Sequence, residues 1–269
     1  NMKGTFVALL ISFVIVFLMM FGVVQGLPEI CGYFELFFVN ILGMPYNSGV
    51  FIYLIVLAAV LVWAIYETMR ETPRMGLMKL AFILSVVLIG IPFIGNGYII
   101  AVLFVAALSF FLFRAKKVNM RTLNTILISL MVLVIGYSSY ALTLVRATAD
   151  TPMDQNAPRD IFTLRTYLAR EQYGDTPLLY GRTYVSEVKR NNEGGNCVAV
   201  TKPGPAVYSR VIKKNSNDKD RYYISNHNDS YEYVDELNML FPRMYSSDAK
   251  HVQAYKDWAQ VQGEPVTFD

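Results

Sequence analysis

The sequence predicts an α-helical membrane bundle followed by a small α/β domain, and three observations predict it. Of 269 residues, 54% are apolar and only 17% charged, with a mean hydropathy of +0.35, well above that of a soluble globule. The charge is also unevenly placed: residues 1–144 hold eight Lys/Arg and four Asp/Glu, and residues 145–269 hold the other sixteen and seventeen. Finally, the first half carries five long runs nearly free of charge, while the second alternates short Tyr/Val-rich runs with Gly, Pro and Asn. On this reading a membrane domain covers residues 1–146 and a small α/β domain residues 147–269. The net charge of +3 then belongs to the loops of a membrane protein and is no argument for nucleic acid.

Residues 4–24 carry no charge, and at about 1.5 Å of rise per residue they match a hydrocarbon core about 30 Å thick. Similar spans are 49–66, 77–94, 96–113 and 123–144. Only Gly95, Asn96 and Gly97 separate the third from the fourth, which predicts a tight helical hairpin, with Pro92 bending the end of the third. The first span is no signal peptide, because its apolar core is too long and no A-x-A-like site follows. Residue 1 is Asn, so the chain reads as a piece of something longer. Residues 30–42 are too short a run to span and too apolar for a loop, and are expected at the outer bilayer surface. Glu29 and Glu35, which flank and interrupt that run, read as solvated or headgroup-facing carboxylates; the competing reading is a carboxylate facing a lipid-linked substrate.

Orientation comes from the short loops. Arg70, Arg74 and Lys79 share one, and Arg114, Lys116, Lys117 and Arg121 another, whereas residues 25–48 and the Gly95 turn contain no Lys or Arg. The positive-inside rule makes the basic loops cytoplasmic. Five crossings from a cytoplasmic Lys3 put everything after Leu144 on the outer side. No Asp, Glu, Lys or Arg lies inside the spans away from their ends, which argues against a transporter carried by these helices alone.

In the second half, Ile161, Leu164 and Leu168 recur at helical spacing between Pro158 and Gly174, predicting a helix over 157–173. Strands are expected at 178–180, 184–188, 197–201, 208–213 and 221–225, and a last helix from a cap at Ser246, Ser247 and Asp248 to Trp258. The short link after Leu144 leaves little reach, so this half should dock beside residues 30–42. Cys31 and Cys197 are the only cysteines. Two unpaired buried thiols are expected over a disulfide, which needs close Cα approach. No His/Cys cluster accompanies them, His227 and His251 show no ligand pattern, and no metal site is expected. Nucleophile-elbow, zincin and P-loop motifs are absent from the sequence.

The stretch from Arg146 to Pro158, with Asp150, Asp154 and Asn156, leads into the helix, which then runs into R-E-Q-Y-G-D-T-P-L-L-Y-G at residues 170–181. These residues closely resemble a family of Bacteroidota inner-membrane, protein O-mannosyltransferase-like glycosyltransferases of the GT-C superfamily, formerly a domain of unknown function. The likeness runs from the last spans to Trp258 and is weak over the first two helices. It implies a multi-spanning enzyme that takes a sugar from a polyprenyl-phosphate donor on the periplasmic side, for protein O-glycosylation or a surface glycan. The implied partners are the lipid bilayer, the lipid-linked sugar, a protein acceptor and the remaining parts of the same polypeptide. The family's W-D-C-G-E-F-like motif does not occur here, so the resemblance places the catalytic aspartate upstream of Asn1 and makes this chain an internal portion. It identifies no cofactor beyond the lipid-linked donor and leaves a divalent metal open.

The candidate substrate-binding residues are Arg170, Glu171, Gln172, Tyr173, Asp175 and Tyr180, with Asp154 and Asn156. Carboxylates, amides and phenols hydrogen-bond sugar hydroxyls, and aromatic faces stack on sugar rings. Local geometry competes as an explanation: Arg170 complements the helix dipole, Gly174 is a natural residue just past a helix end, and Asp175 and Thr176 turn the chain before Pro177. Two other functions stand beside the enzyme: a membrane-anchored periplasmic scaffold or assembly protein without catalysis, and a transporter subunit.

Overall fold

The computed structural model describes all residues except 1, 97, 116–117, 148, 150–156, 172–176, 178, 194–195, 214, 216–217 and 261–269. It is mostly helical, with a small strand-containing region towards the C-terminus. Helix α1 (Met2–Phe17), a wider π-helical stretch (Leu18–Val24), α2 (Gln25–Leu36) and a second π-helical stretch (Phe37–Ile41) follow without interruption. Residues 30–42 are therefore no separate segment, since all but Leu42 continue the first helix. Pro28 lies inside α2 and cannot donate to the carbonyl four residues back. That carbonyl, of Val24, instead accepts from the Tyr137 hydroxyl at 3.0 Å.

Next come α3 (Ser48–Met69), α4 (Met75–Ile89), a 3₁₀ turn (Ile91–Asn96), α5 (Tyr98–Arg114), α6 (Met120–Tyr137) and α7 (Tyr140–Ala147). Among the described residues, three stretches are long and apolar enough to cross a membrane: Met2–Ile41, Ser48–Met69 and Met120–Ala147; Met75–Ile89 and Tyr98–Arg114 are apolar but shorter. Helix α4 ends before the expected residue 94 because Gly90 turns left-handed at φ +94° and Pro92 has no N–H for the Leu88 carbonyl. The Tyr53 hydroxyl donates to that carbonyl at 2.7 Å.

Tyr53, Leu57, Leu61 and Ala64 form one face of α3, packed with Met78, Ala81, Phe82 and Ile89 of α4 and Leu123, Leu127 and Leu130 of α6. The opposite faces are apolar as well, with Phe51, Ile55 and Val62 of α3 and Ile99 and Phe111 of α5 exposed. Helices greasy on every side suit lipid, where each backbone group is satisfied within the helix.

The chain forms two compact units, one of residues 1–172 with 208–225, the other of residues 173–207 with 226–269. The division expected at 146/147 lies elsewhere because α8 (Ile161–Leu168) and residues 208–225 pack on α2. Gly32 makes the room: a Cβ there would lie 3.0 Å from the Phe162 ring, which also meets Tyr208 at a tilt and Tyr222 edge to face, at 4.9 and 5.0 Å between ring centres. Part of the second half thus docks beside residues 30–42, as the short link requires. Helix α8 is shorter than expected because Asp160 and Thr163 cap its start reciprocally and Arg170 turns left-handed at φ +57° just past its end.

The strands are β1 (Tyr180–Arg182), β2 (Arg190–Glu193), β3 (Asn196–Ala199), β4 (Thr201–Lys202), β5 (Ala206–Arg210), β6 (Tyr222–His227), β7 (Ser230–Tyr231) and β8 (Asn238–Leu240), followed by α9 (Ala249–Ala259). They pair two by two: β1 with β8, β2 with β3, β4 with β7, and β5 with β6. The β5–β6 ribbon carries the chain from the second unit into the first and back. Within the second unit, the backbones of Lys189, Val200 and Glu232 bond one another in a ring. Lys189 also pairs with Asp235 at 2.9 Å, and that contact holds the ammonium above and the carboxyl below their ordinary pKa. Residues 184–188, expected as a strand, form a turn closed by Ser186 on Thr183, with a single bridge from Val188 to Tyr233.

Candidate functional site

The first unit has two chemically different ends. At one, the buried Glu67 at the end of α3 pairs with Arg70 and Arg74, and Lys79 donates to the Ala115 carbonyl at 3.3 Å. At the other lie the start of α3, the end of α4, the start of α5 and the end of α6, with the Met2–Ile41 helical run in contact with all four. Both carboxylates of α2 are used there.

Glu35 is fully buried. Asn47 precedes α3 without a side-chain bond to the N–H groups of its first turn, which leaves them unmatched by a cap of the usual kind. Glu35 takes this place: its carboxylate accepts from the N–H of Asn47 at 2.6 Å and of Val50 at 3.2 Å, where the helix dipole favours an anion. It also accepts the Tyr222 hydroxyl at 3.1 Å, whose pKa is raised by burial and by Glu35. Gly49 is required here, since a Cβ would lie 2.4 Å from the Glu35 Cα.

Around this bond the ribbon is locked. The Asn40 amide pairs with both backbone groups of Tyr222, at 3.0 and 2.8 Å. The Tyr46 hydroxyl accepts from the Arg221 N–H at 3.1 Å and donates to the Arg221 carbonyl at 2.9 Å. Asp220 accepts from the Tyr46 N–H at 3.2 Å and pairs with Lys213 at 2.8 Å. Burial pushes the Asp220 carboxyl up, but these two donors outweigh it and hold it below its usual range.

Glu29 forms a second, more open cluster. It accepts from Tyr33 at 2.9 Å and pairs with Arg165 of α8 at 3.8 Å, while Tyr33 and the exposed Tyr98 share a hydroxyl contact of 2.7 Å. A nearly buried carboxylate, a guanidinium and two phenols, one of them open to the surroundings, converge at the end of an apolar bundle. Such a set can hold phosphate through the guanidinium and sugar hydroxyls through the carboxylate and phenols.

The expectation that Glu29 and Glu35 are solvated is therefore corrected, because each is buried against partners far along the chain. Of the candidates at 170–181, Arg170 and Glu171 follow α8 in the first unit; Tyr180 lies in β1 of the second unit, exposed, its hydroxyl 3.4 Å from the Asp235 carbonyl. Gln172, Tyr173, Asp175, Asp154 and Asn156 lie outside the described residues. Nothing in the sequence marks Arg165 or Tyr98 as members of this cluster; its one signal there is Glu29 and Tyr33 four residues apart, on one face of a helix. Neither cysteine is in a disulfide: Cys31 is buried as expected, whereas Cys197 is exposed. Among the described residues no group of three His, Cys, Asp or Glu is placed to hold a metal ion.

No curated protein and no solved structure matches the chain. Residues 174–269, less than half of the chain, match the model of a Family of unknown function (DUF8416).

Proposed function

We propose that this chain is part of a GT-C-type, protein O-mannosyltransferase-like glycosyltransferase of a Bacteroidota inner membrane. Its part is to hold a polyprenyl-phosphate sugar at the periplasmic end of the bundle, while the catalytic carboxylate comes from elsewhere in the polypeptide. In this reading the chain crosses five times from a cytoplasmic N-terminus. The Lys/Arg loops at one end of the bundle and the polar cluster at the other support that orientation. The observation that carries the function is the Glu29, Arg165, Tyr33 and Tyr98 cluster, whose donor set suits a sugar phosphate arriving from the lipid side.

The test is binding and transfer from a polyprenyl-phosphate sugar by the intact protein in lipid discs. Arg165→Gln and Glu29→Gln each remove one charged partner and should weaken donor binding, measured per folded molecule, by roughly 10- to 100-fold. Donor binding that is absent in the parent protein, or unchanged in both variants, would overturn the reading.

Glu35 favours a second reading, a scaffold without catalysis. Its carboxylate is consumed in holding α3 and the ribbon together, as expected where polar groups serve architecture. A scaffold ignores the lipid-linked sugar, so the same experiment separates the two.

A further inference from the structure

The β5–β6 ribbon ends in a surface that the locking contacts leave open. Ile212 is 90% exposed, and Ile41 and Leu42, at the end of the α2 helical run, are 71% and 54% exposed. Such aliphatic side chains are costly to hold in water. They belong to one place, because residues 40–46 lie along the ribbon through the Asn40, Tyr46 and Asp220 bonds given above, and a Cβ on Gly43 would touch the Lys219 side chain at 3.6 Å. The height of that place is also given. Tyr46 stands two residues before the first residue of α3, and α3 has 22 residues, about 33 Å at helical rise, the thickness of one hydrocarbon core. The tip therefore sits level with the interface at which α3 enters lipid, where Tyr46 and the half-exposed Tyr223 have the aromatic character of such a belt.

The charge matches an anionic surface. Residues 210–221 hold five Lys/Arg against two Asp. Arg210 faces Asp160 at 3.9 Å and Lys213 pairs with Asp220, while Lys219 and Arg221 are exposed on the same tip. We infer that residues 211–213 and 218–221, with Ile41 and Leu42, form a membrane-surface anchor. The three aliphatic side chains enter the headgroup and acyl boundary, and Lys219 and Arg221 meet anionic lipid headgroups. The inference needs the bundle to lie in a bilayer but needs no sugar substrate, so it stands or falls separately from the glycosyltransferase reading.

The experiment places a polarity-sensitive fluorophore on Ile212→Cys in a Cys197→Ser background. Cys31, 2% exposed, stays unlabelled, and Ile212 is too exposed for its replacement to disturb packing. The full chain is reconstituted in discs of phosphatidylcholine alone or mixed with phosphatidylglycerol. Shallow spin-labelled lipids should quench the label and its emission should shift to the blue, more strongly with phosphatidylglycerol and less at high salt. Each cation near an anionic surface contributes about fivefold in partition, so Lys219→Gln with Arg221→Gln should abolish the dependence on lipid charge. A water-like emission without quenching in both discs would overturn the anchor, and so would quenching indifferent to lipid charge and salt.

Discussion

At the scale of single residues, the clearest regularity is how the bundle handles proline. Pro28 and Pro92 each remove a donor from a helix, and in lipid a freed carbonyl finds no water. In both cases a tyrosine from a neighbouring helix supplies the hydroxyl, Tyr137 to Val24 and Tyr53 to Leu88. This predicts a coupling. Tyr137→Phe should destabilise the protein by about 1 to 3 kcal/mol, the cost of leaving a buried acceptor unmatched. Pro28→Ala restores the backbone donor, so in its presence Tyr137→Phe should cost well under half as much. Thermal unfolding in detergent of the two single variants and the double variant measures it; additive effects would show that the hydroxyl is not replacing the missing N–H. The residue scale is also where the sequence is least legible. Pro92 marks a bend on sight, but nothing near Glu35 announces that it will be buried, because Tyr222, which bonds it, stands 187 positions away. Carboxylates at the end of an apolar run ordinarily find water, and these two find helix N–H groups, two phenols and a guanidinium.

At the scale of elements, composition carries helices better than strands. The runs at 49–66 and 123–144 lie inside α3 and the α6–α7 stretch, since uninterrupted apolar sequence has few alternatives. Strand β2, Arg190–Glu193, has no β-branched or aromatic residue to betray it, and it forms because it pairs with β3 in register, Arg190 opposite Ala199. Packing between helices depends on glycines that a one-dimensional reading treats as neutral. A Cβ on Gly26 would lie 2.4 Å from the Gly90 carbonyl oxygen, and one on Gly49 2.4 Å from the Glu35 backbone, whereas one on Gly76 meets nothing within 4 Å. Gly26→Ala and Gly49→Ala should each cost several kcal/mol by forcing helices apart, beyond the roughly 1 to 3 kcal/mol of ordinary overpacking. Gly76→Ala, in the first turn of α4, should stabilise by up to about 1 kcal/mol through helix propensity. Melting temperatures of the three variants test the helix crossings directly; three equal, small effects would contradict them.

At the scale of the whole chain, the number of crossings is decided at the turn between α4 and α5. Three long helices and five helices both place the ends of the chain on opposite sides, so a label on the exposed Cys197 tests only whether the number is odd. What differs is the turn between α4 and α5. The 15 residues of α4 and six of the 3₁₀ turn extend about 22 Å and about 12 Å, together close to one hydrocarbon core. That length favours a full crossing over a hairpin that turns back inside the bilayer; the basic residues near the start of α4 and the end of α5 place those two ends on one side in either case. Tyr98 begins α5 and is exposed, so Tyr98→Cys in a Cys197→Ser background reports on the turn itself. With five crossings it reacts with an impermeant thiol reagent only from the face that labels Cys197, and Arg121→Cys only from the other. Protection of Tyr98→Cys from both faces, with Cys197 still labelled from outside, would reduce the crossings to three and turn α4 and α5 into a hairpin held within the membrane.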